Sequence, residues 1–296
     1  MATLATVRTA RSLQVVGIVT LFAPLLVEWW KLVSEADRVS YTILVPFLAA
    51  GLAWRRRSDE SMGATADVGP NWPTILLLLL ATTVLAVGSL AAIFTLSIAA
   101  FPLTIAAWVG ATGGVAALRR YAAPLVLFQG MVPPPLPLFD WAVPQLVKAS
   151  GAAAVGMLKP FDTGASWIGN ELTYQEWTLV VAEACSGSGA LLIYWVLILF
   201  LGGLFRLRVP LTLAFLAFAV PFTLFINGVR IALTPLILDL WGRPAVTGVG
   251  HEILGQLVVI LGAGLLAYLM DVVVQRGKKR SDDGPPAAAK SLGVLA

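Results

Sequence analysis

The 296-residue sequence contains one cysteine, Cys185, and one histidine, His251, and only 12% of its residues are charged. A single thiol excludes an intramolecular disulfide. With one cysteine and one histidine, the usual zinc ligand sets cannot be assembled either. No phosphate-binding glycine loop and no internal repeat is present, so neither a nucleotide-binding module nor a repeat array is indicated. No metal and no other cofactor is implied. The charge content is about half that of a soluble domain.

What the chain has instead is apolar residues, 58% of the total, gathered in long blocks. About 20 apolar helical residues cross the roughly 30 Å of bilayer hydrocarbon. Eight candidate spans follow: Leu13–Val33, Val39–Trp54, Trp72–Phe94, Leu96–Leu118, Tyr121–Leu138, Gly187–Phe205, Val209–Arg230 and Ile253–Asp271. The second is short and the fifth ends in prolines, so both are candidates for re-entrant segments. The fold class expected is an all-α polytopic membrane bundle. Its membrane domain covers residues 1–275, and a basic, then disordered, tail covers 276–296.

Cytoplasmic loops carry the excess of lysine and arginine. With the N-terminus inside, the inner side receives Arg8, Arg11, Arg55–Arg57, Arg119, Arg120, Arg206, Arg208, Arg276, Lys278–Arg280 and Lys290, which is 14 of the 20 basic residues. The outer side receives Lys31, Arg38, Lys148, Lys159, Arg230 and Arg243. Both termini are then cytoplasmic. The net charge of +4 comes from these loops and gives no reason to expect nucleic acid. Arg8 and Arg11 precede an apolar stretch as in a signal peptide, but Glu28-Trp29-Trp30-Lys31 offers no small-residue cleavage site, so an uncleaved first helix is expected.

One substantial extramembrane segment, residues 132–184, lies outside on this topology. Pro133–Pro135 and Pro137 oppose regular helix. The spacing of apolar residues from Asp140 to Leu158 suits a helix along the membrane surface. Glu176–Val181 is β-branched and aromatic, an extended segment leading to Glu183 and Cys185. Cys185 opens the sixth span on its outer side. The seventh span reaches Arg230 after about 30 Å of helix, and His251 opens the eighth from the same side. Topology alone therefore brings three chemically distinctive residues to one depth.

Each has a structural reading as well. Arg230 can snorkel to headgroups, His251 can cap a helix at the interface, Glu183 can be an interfacial carboxylate, and Asn227 can satisfy backbone opened near Pro221 or Gly228. Tyr194 and Trp195 read most simply as lipid-facing or interfacial. The functional reading gives the set one purpose. A thiolate attacks an amide carbonyl, an imidazole exchanges protons with the thiol and the leaving amine, and a guanidinium stabilises the oxyanion. Cys185, His251 and Arg230 are the candidates for these roles, with Glu183, Ser186 and Asn227 supporting.

Glu183-Ala184-Cys185-Ser186-Gly187, Asn227-Gly228-Val229-Arg230 and His251-Glu252-Ile253-Leu254-Gly255 resemble, in order and spacing, three signature blocks of the exosortase/archaeosortase family. Ser40–Pro46 followed by Ala53–Arg57 is similar to that family's N-terminal block, so the resemblance runs to about residue 272. It implies a cysteine transpeptidase of a bacterial or archaeal inner membrane. Cys185 would be the nucleophile, Arg230 the stabilising charge and His251 the acid/base. Its substrates would be exported proteins ending in a short motif, such as Pro-Glu-Pro, then a transmembrane helix and a basic cluster. They would pass to an envelope acceptor that the sequence does not identify, often alongside exopolysaccharide production. The chain departs from the family where Ser40-Tyr41-Thr42 replaces a common Ser-His-Gly and where Ser188-Gly189-Ala190 lacks a frequent arginine.

Other readings stay open at this level. A transporter with Arg230 and His251 lining a polar pathway would make Cys185 dispensable and would normally show pseudo-symmetry, which the sequence lacks. A serine protease would use Ser186 or Ser188 with His251, and a scaffold would bind tails without cutting them.

Overall fold

The computed structural model describes residues 4–57, 71–161, 164–181, 186–243 and 247–282. It is a helical membrane bundle with a small sheet. Five helices are long and apolar enough to cross a bilayer: α1 (Leu4–Glu35), α3 (Trp72–Leu90), α4 (Phe94–Arg120), α8 (Val209–Trp241) and α9 (Gly248–Asp282). Between them lie α2 (Leu44–Arg56), α5 (Ala122–Gln129), α6 (Leu136–Leu158) and the apolar α7 (Ser188–Leu204).

Arginines tie the helix ends together at one end of the bundle. Arg120 donates from Nε to the Arg56 carbonyl (2.8 Å), Arg56 donates to the Gly203 carbonyl (2.7 Å), and Arg11 reaches the Thr112 carbonyl (3.2 Å). The last turn of a helix leaves carbonyls without intrahelical donors, and guanidinium groups supply them. The start of α1 and the ends of α2, α4 and α7 thus share one level, as the charge pattern requires.

The second and fifth expected spans are the short ones. A 3₁₀ turn, Asp37–Ile43, precedes α2, and α5 has eight residues, about 12 Å of helix. That is well under a membrane thickness. Of the eight candidate spans, the second and fifth, the two marked as candidates for re-entrant segments, thus contain only short regular helices. Irregular backbone inside a bilayer must be buried and bonded by protein. Trp29 Nε1 donates to the Met131 carbonyl (2.9 Å), and Thr42 Oγ1 to the Val39 carbonyl (2.7 Å). Trp29, Val39, Val45, Ile98, Phe101 and Met131 bury one another around them.

Small residues set the helix spacing. Tyr194 of α7 is fully buried, its ring edge-on to Phe222 at 5.5 Å and its hydroxyl donating to the Val259 carbonyl (3.3 Å). The lipid-facing placement expected for Tyr194 is thus wrong. Gly262 on α9 leaves the space its hydroxyl fills, which hydropathy cannot show. Trp195 is partly exposed and donates to the Leu216 carbonyl (3.0 Å).

Beyond the membrane-length part, α6 and the sheet form a cap on α8. Pro137, expected to oppose helix, sits in the first turn of α6, where its missing N–H costs nothing. The helix α6 packs on α8: Val143, Val147, Ala154 and Leu158 share a core with Leu172, Tyr174, Ile231 and Ala232. The sheet is an antiparallel meander of β1 (Ser166–Ile168), β2 (Glu171–Tyr174) and β3 (Trp177–Val180), with Ile168 opposite Glu171 and Tyr174 opposite Trp177. Both hairpin loops have two residues, and the first of each, Gly169 and Gln175, has positive φ, as primed turns need. The extended character expected for Glu176–Val181 is realised as β3. At the far end, α9 runs through Arg276–Arg280 to Asp282, so the basic residues continue the helix and do not begin a tail. Residues 283–296, where a disordered tail is expected, lie outside the described residues.

The helix α8 continues past Arg230, its expected end, to Trp241. There Asp239 accepts from Trp177 Nε1 (2.8 Å) and from the Tyr174 hydroxyl, fastening the sheet to the helix. Burial first, and the Asp239 carboxylate second, hold the Tyr174 phenol above its usual 10.0. Asp239→Ala is expected to destabilise the protein by about 1–3 kcal/mol in detergent, since two donors lose their acceptor. Because the folded phenol titrates above the unfolded one, its contribution is complete below pH 10 and lost as pH rises through the folded value. Tyr174→Phe should flatten that alkaline loss in a denaturation series.

Candidate functional site

Three helices meet at the end of the bundle away from the arginine ties. Arg230 follows Asn227 by three residues on α8, so the two side chains lie on neighbouring faces one turn apart. His251 is in the first turn of α9, and Gly255 lies one turn further along the same face. The Arg230 guanidinium lies across this face: Nη2 is 3.2 Å from His251 Nε2. A Cβ on Gly255 would stand 2.7 Å from Nη2 and 2.9 Å from Cζ, so any larger residue there displaces the guanidinium from this position.

A guanidinium has donors and no acceptor. Nε2 of His251 therefore accepts, and the neutral ring carries its proton on Nδ1, a tautomer assigned from this geometry. Arg230 Nε is buried and has no hydrogen-bond partner among the described residues. Both side chains are half-buried. A strong donor, unsatisfied and shielded from water, thus stands beside an imidazole. Such a donor favours any carbonyl oxygen or oxyanion that reaches it.

The start of α7 completes the junction. Gly187 has φ of 81°, and its Cα faces Asn227, where an added Cβ would lie 3.1 Å from Cγ. Asn227 is buried. Ser186 is buried too; its Oγ accepts from the Ser188 amide (3.2 Å) and donates to Ser188 Oγ (3.0 Å), bracing the turn that leads into α7. Of the residues singled out from the sequence, Arg230 and His251 touch, Asn227 and Ser186 flank the start of α7, and Glu183 and Cys185 lie outside the described residues. Among the described residues no three histidine, cysteine or acidic side chains gather as a metal site.

A family model described as transmembrane exosortase matches residues 29–268. The chain belongs to that family. Its members are membrane-embedded sorting enzymes, and the five long apolar helices make this exosortase a multi-pass membrane protein. No curated protein and no solved structure matches it.

In this exosortase the matched span takes in all three helices of the junction and the 3₁₀ turn Asp37–Ile43, which packs against α1, α2 and α7. Two features of the site are absent from the chemical reading of the sequence. Gly187 and Gly255 carry no reactive group, yet they admit Asn227 and Arg230. The available signal for Gly255 is its spacing of four from His251 on one helix face.

His251 is the only histidine, so its ring nitrogens give unambiguous NMR signals. In 15N-histidine-labelled protein, Arg230→Gln and Gly255→Ala should each shift the Nε2 resonance, whereas Tyr268→Phe, exposed and about 25 Å further along α9, should leave it in place. Unchanged Nε2 in both of the first two variants contradicts the pairing.

Proposed function

We propose that the chain is a cysteine transpeptidase that removes the C-terminal tail of exported proteins, with Cys185 as nucleophile, His251 as acid/base and Arg230 as the stabilising charge. The observation that carries this is the contact between Arg230 and His251 with a buried donor left over, at the junction where α7 begins. Covalent geometry keeps Cys185 within about 7 Å of Gly187, two residues on. Gly187 itself rests on Asn227, one turn before Arg230.

In this reading the substrate carbonyl oxygen enters beside Arg230 and takes up guanidinium donors. That frees Nε2 of His251 to accept the Cys185 proton. The sulfur attacks the carbonyl carbon, and negative charge develops on an oxygen that Arg230 stabilises. The C–N bond breaks as the imidazolium returns its proton to the leaving amine. A thioester on Cys185 remains, and an envelope nucleophile attacks it, giving up its proton and restoring the thiol. The arginine-tied end faces the cytoplasm, following the positive-inside rule, so the junction lies on the extracytoplasmic side. The tail's transmembrane helix then lies alongside the bundle, with its recognition motif near the cap.

The test is co-expression with tripartite-tail proteins from the same genome, with processing followed by mass. Cys185→Ala and Cys185→Ser should abolish tail removal. Arg230→Gln should slow it about 10²- to 10³-fold, and His251→Ala about 10²- to 10⁴-fold. Ser186→Ala removes a turn hydrogen bond worth about 1 kcal/mol and should retain processing. Tail removal that survives Cys185→Ala but not Ser186→Ala or Ser188→Ala identifies a serine nucleophile instead. If no tail is processed by the intact protein, the enzyme reading fails and a transporter or scaffold takes its place.

A further inference from the structure

A groove of about 740 Å³ opens on the bundle between α1, α2, α4 and α5, at the arginine-tied end and remote from the Arg230–His251 junction. Its walls are apolar, with Pro46, Ile105 and Phe128 at the inner end, and Arg11, Arg57 and Trp54 at the mouth. Along α2 it runs from Pro46 to Arg57, eleven residues or about 16 Å of helix. That is close to one leaflet, half of a hydrocarbon core of about 30 Å. The small residues Ala53, Thr112, Gly113 and Ala117 hollow it out beside the break in α4, where Gly114 has φ of 68°.

The two cations at the mouth differ from their neighbours. Arg56 and Arg120 are committed to helix-end carbonyls. Arg57 instead lies over the Trp54 ring, its Cζ 3.2 Å from the centroid; Arg11 spends one N–H on the Thr112 carbonyl. Both residues are exposed. A guanidinium offers five donors in a fork suited to phosphate. None of the described residues that line the groove carries a carboxylate.

We propose that this groove binds an anionic phospholipid, one acyl chain lying along α2 and the phosphate bridging Arg11 and Arg57. The depth fits a single leaflet, the walls fit a hydrocarbon chain, and the charge at the mouth selects an anionic headgroup over a zwitterionic one. A helix from a second copy would bring its own arginine-rich end against Arg11 and Arg57. Basic clefts between helices near the membrane surface are suited to such headgroups.

The test uses the full-length protein in mixed micelles, with bound lipid counted by native mass spectrometry during titration with phosphatidylglycerol or with phosphatidylcholine of the same acyl chains. One phosphatidylglycerol should be retained with a preference of about tenfold or more over phosphatidylcholine. Arg11→Gln and Arg57→Gln should each reduce that preference about fivefold. Ala53→Trp, which fills the groove and leaves both charges in place, should abolish retention, and inorganic phosphate alone should not compete. Equal retention of the two lipids by the unaltered protein overturns the proposal without reference to any variant. So do an unchanged preference in both glutamine variants, full retention in Ala53→Trp, displacement by inorganic phosphate, or a dimer in place of a lipid adduct. Tail processing by the same samples is read separately, so a failure of the lipid site does not bear on the transpeptidase reading.

Discussion

Helices in a bilayer gain little from the hydrophobic effect when they meet, because lipid tails are as apolar as their own side chains; what holds them is close packing and internal hydrogen bonding. Several helix contacts here are made where a glycine permits close approach. Gly88 receives Ser97, Gly203 receives Leu52, Gly228 lies against Ala153, and Gly262 accommodates the Tyr194 ring. The same device places the charged pair. Arg230 lies across α9 to His251 where Gly255 offers no Cβ, and α7 begins against Asn227 where Gly187 offers none and adopts positive φ. Packing and chemistry at the junction thus depend on one kind of residue, which carries no functional group.

That dependence explains what could be read from the sequence. Apolar blocks and basic loops specify a membrane bundle and its two ends because each signal is summed over many residues. Arg230 and His251 were legible as neighbours because helix rise converts their positions into depth. Contacts between helices are another matter. Nothing in the apolar run around Tyr194 distinguishes a side chain facing lipid from one facing protein, since both environments are hydrocarbon. Burial of Tyr194 is decided by Gly262, 68 residues away. Likewise the charge of Arg230 marks an expected end of α8, while the apolar residues beyond it carry the helix on to Trp241 under the cover of α6 and the sheet.

The two short helices fit the same logic. An eight-residue α5 and a thirteen-residue α2 leave backbone groups inside the membrane-length part of the bundle, and side chains such as Trp29 and Thr42 satisfy them. Full-length spans would need no such partners. The sequence marks this place only by the prolines at 133–135 and by the shortness of the second apolar block, signals that say where regular helix stops but not what replaces it.

One geometric consequence concerns α8. The chain on either side of residues 182–185 is anchored to this single helix, at Asp239 through Trp177 and at Asn227 through Gly187. Pro235 lies between the two anchors and interrupts the helix ladder, as prolines do. From Pro235 to Asp239 is about 6 Å of helix, so a bend of about ten degrees there displaces the upper anchor by about 1 Å relative to the lower. Errors of that size in the placement of a reacting group are worth about a hundredfold in rate. The helix thus resembles a caliper with its two jaws at Asn227 and Asp239 and one proline between them.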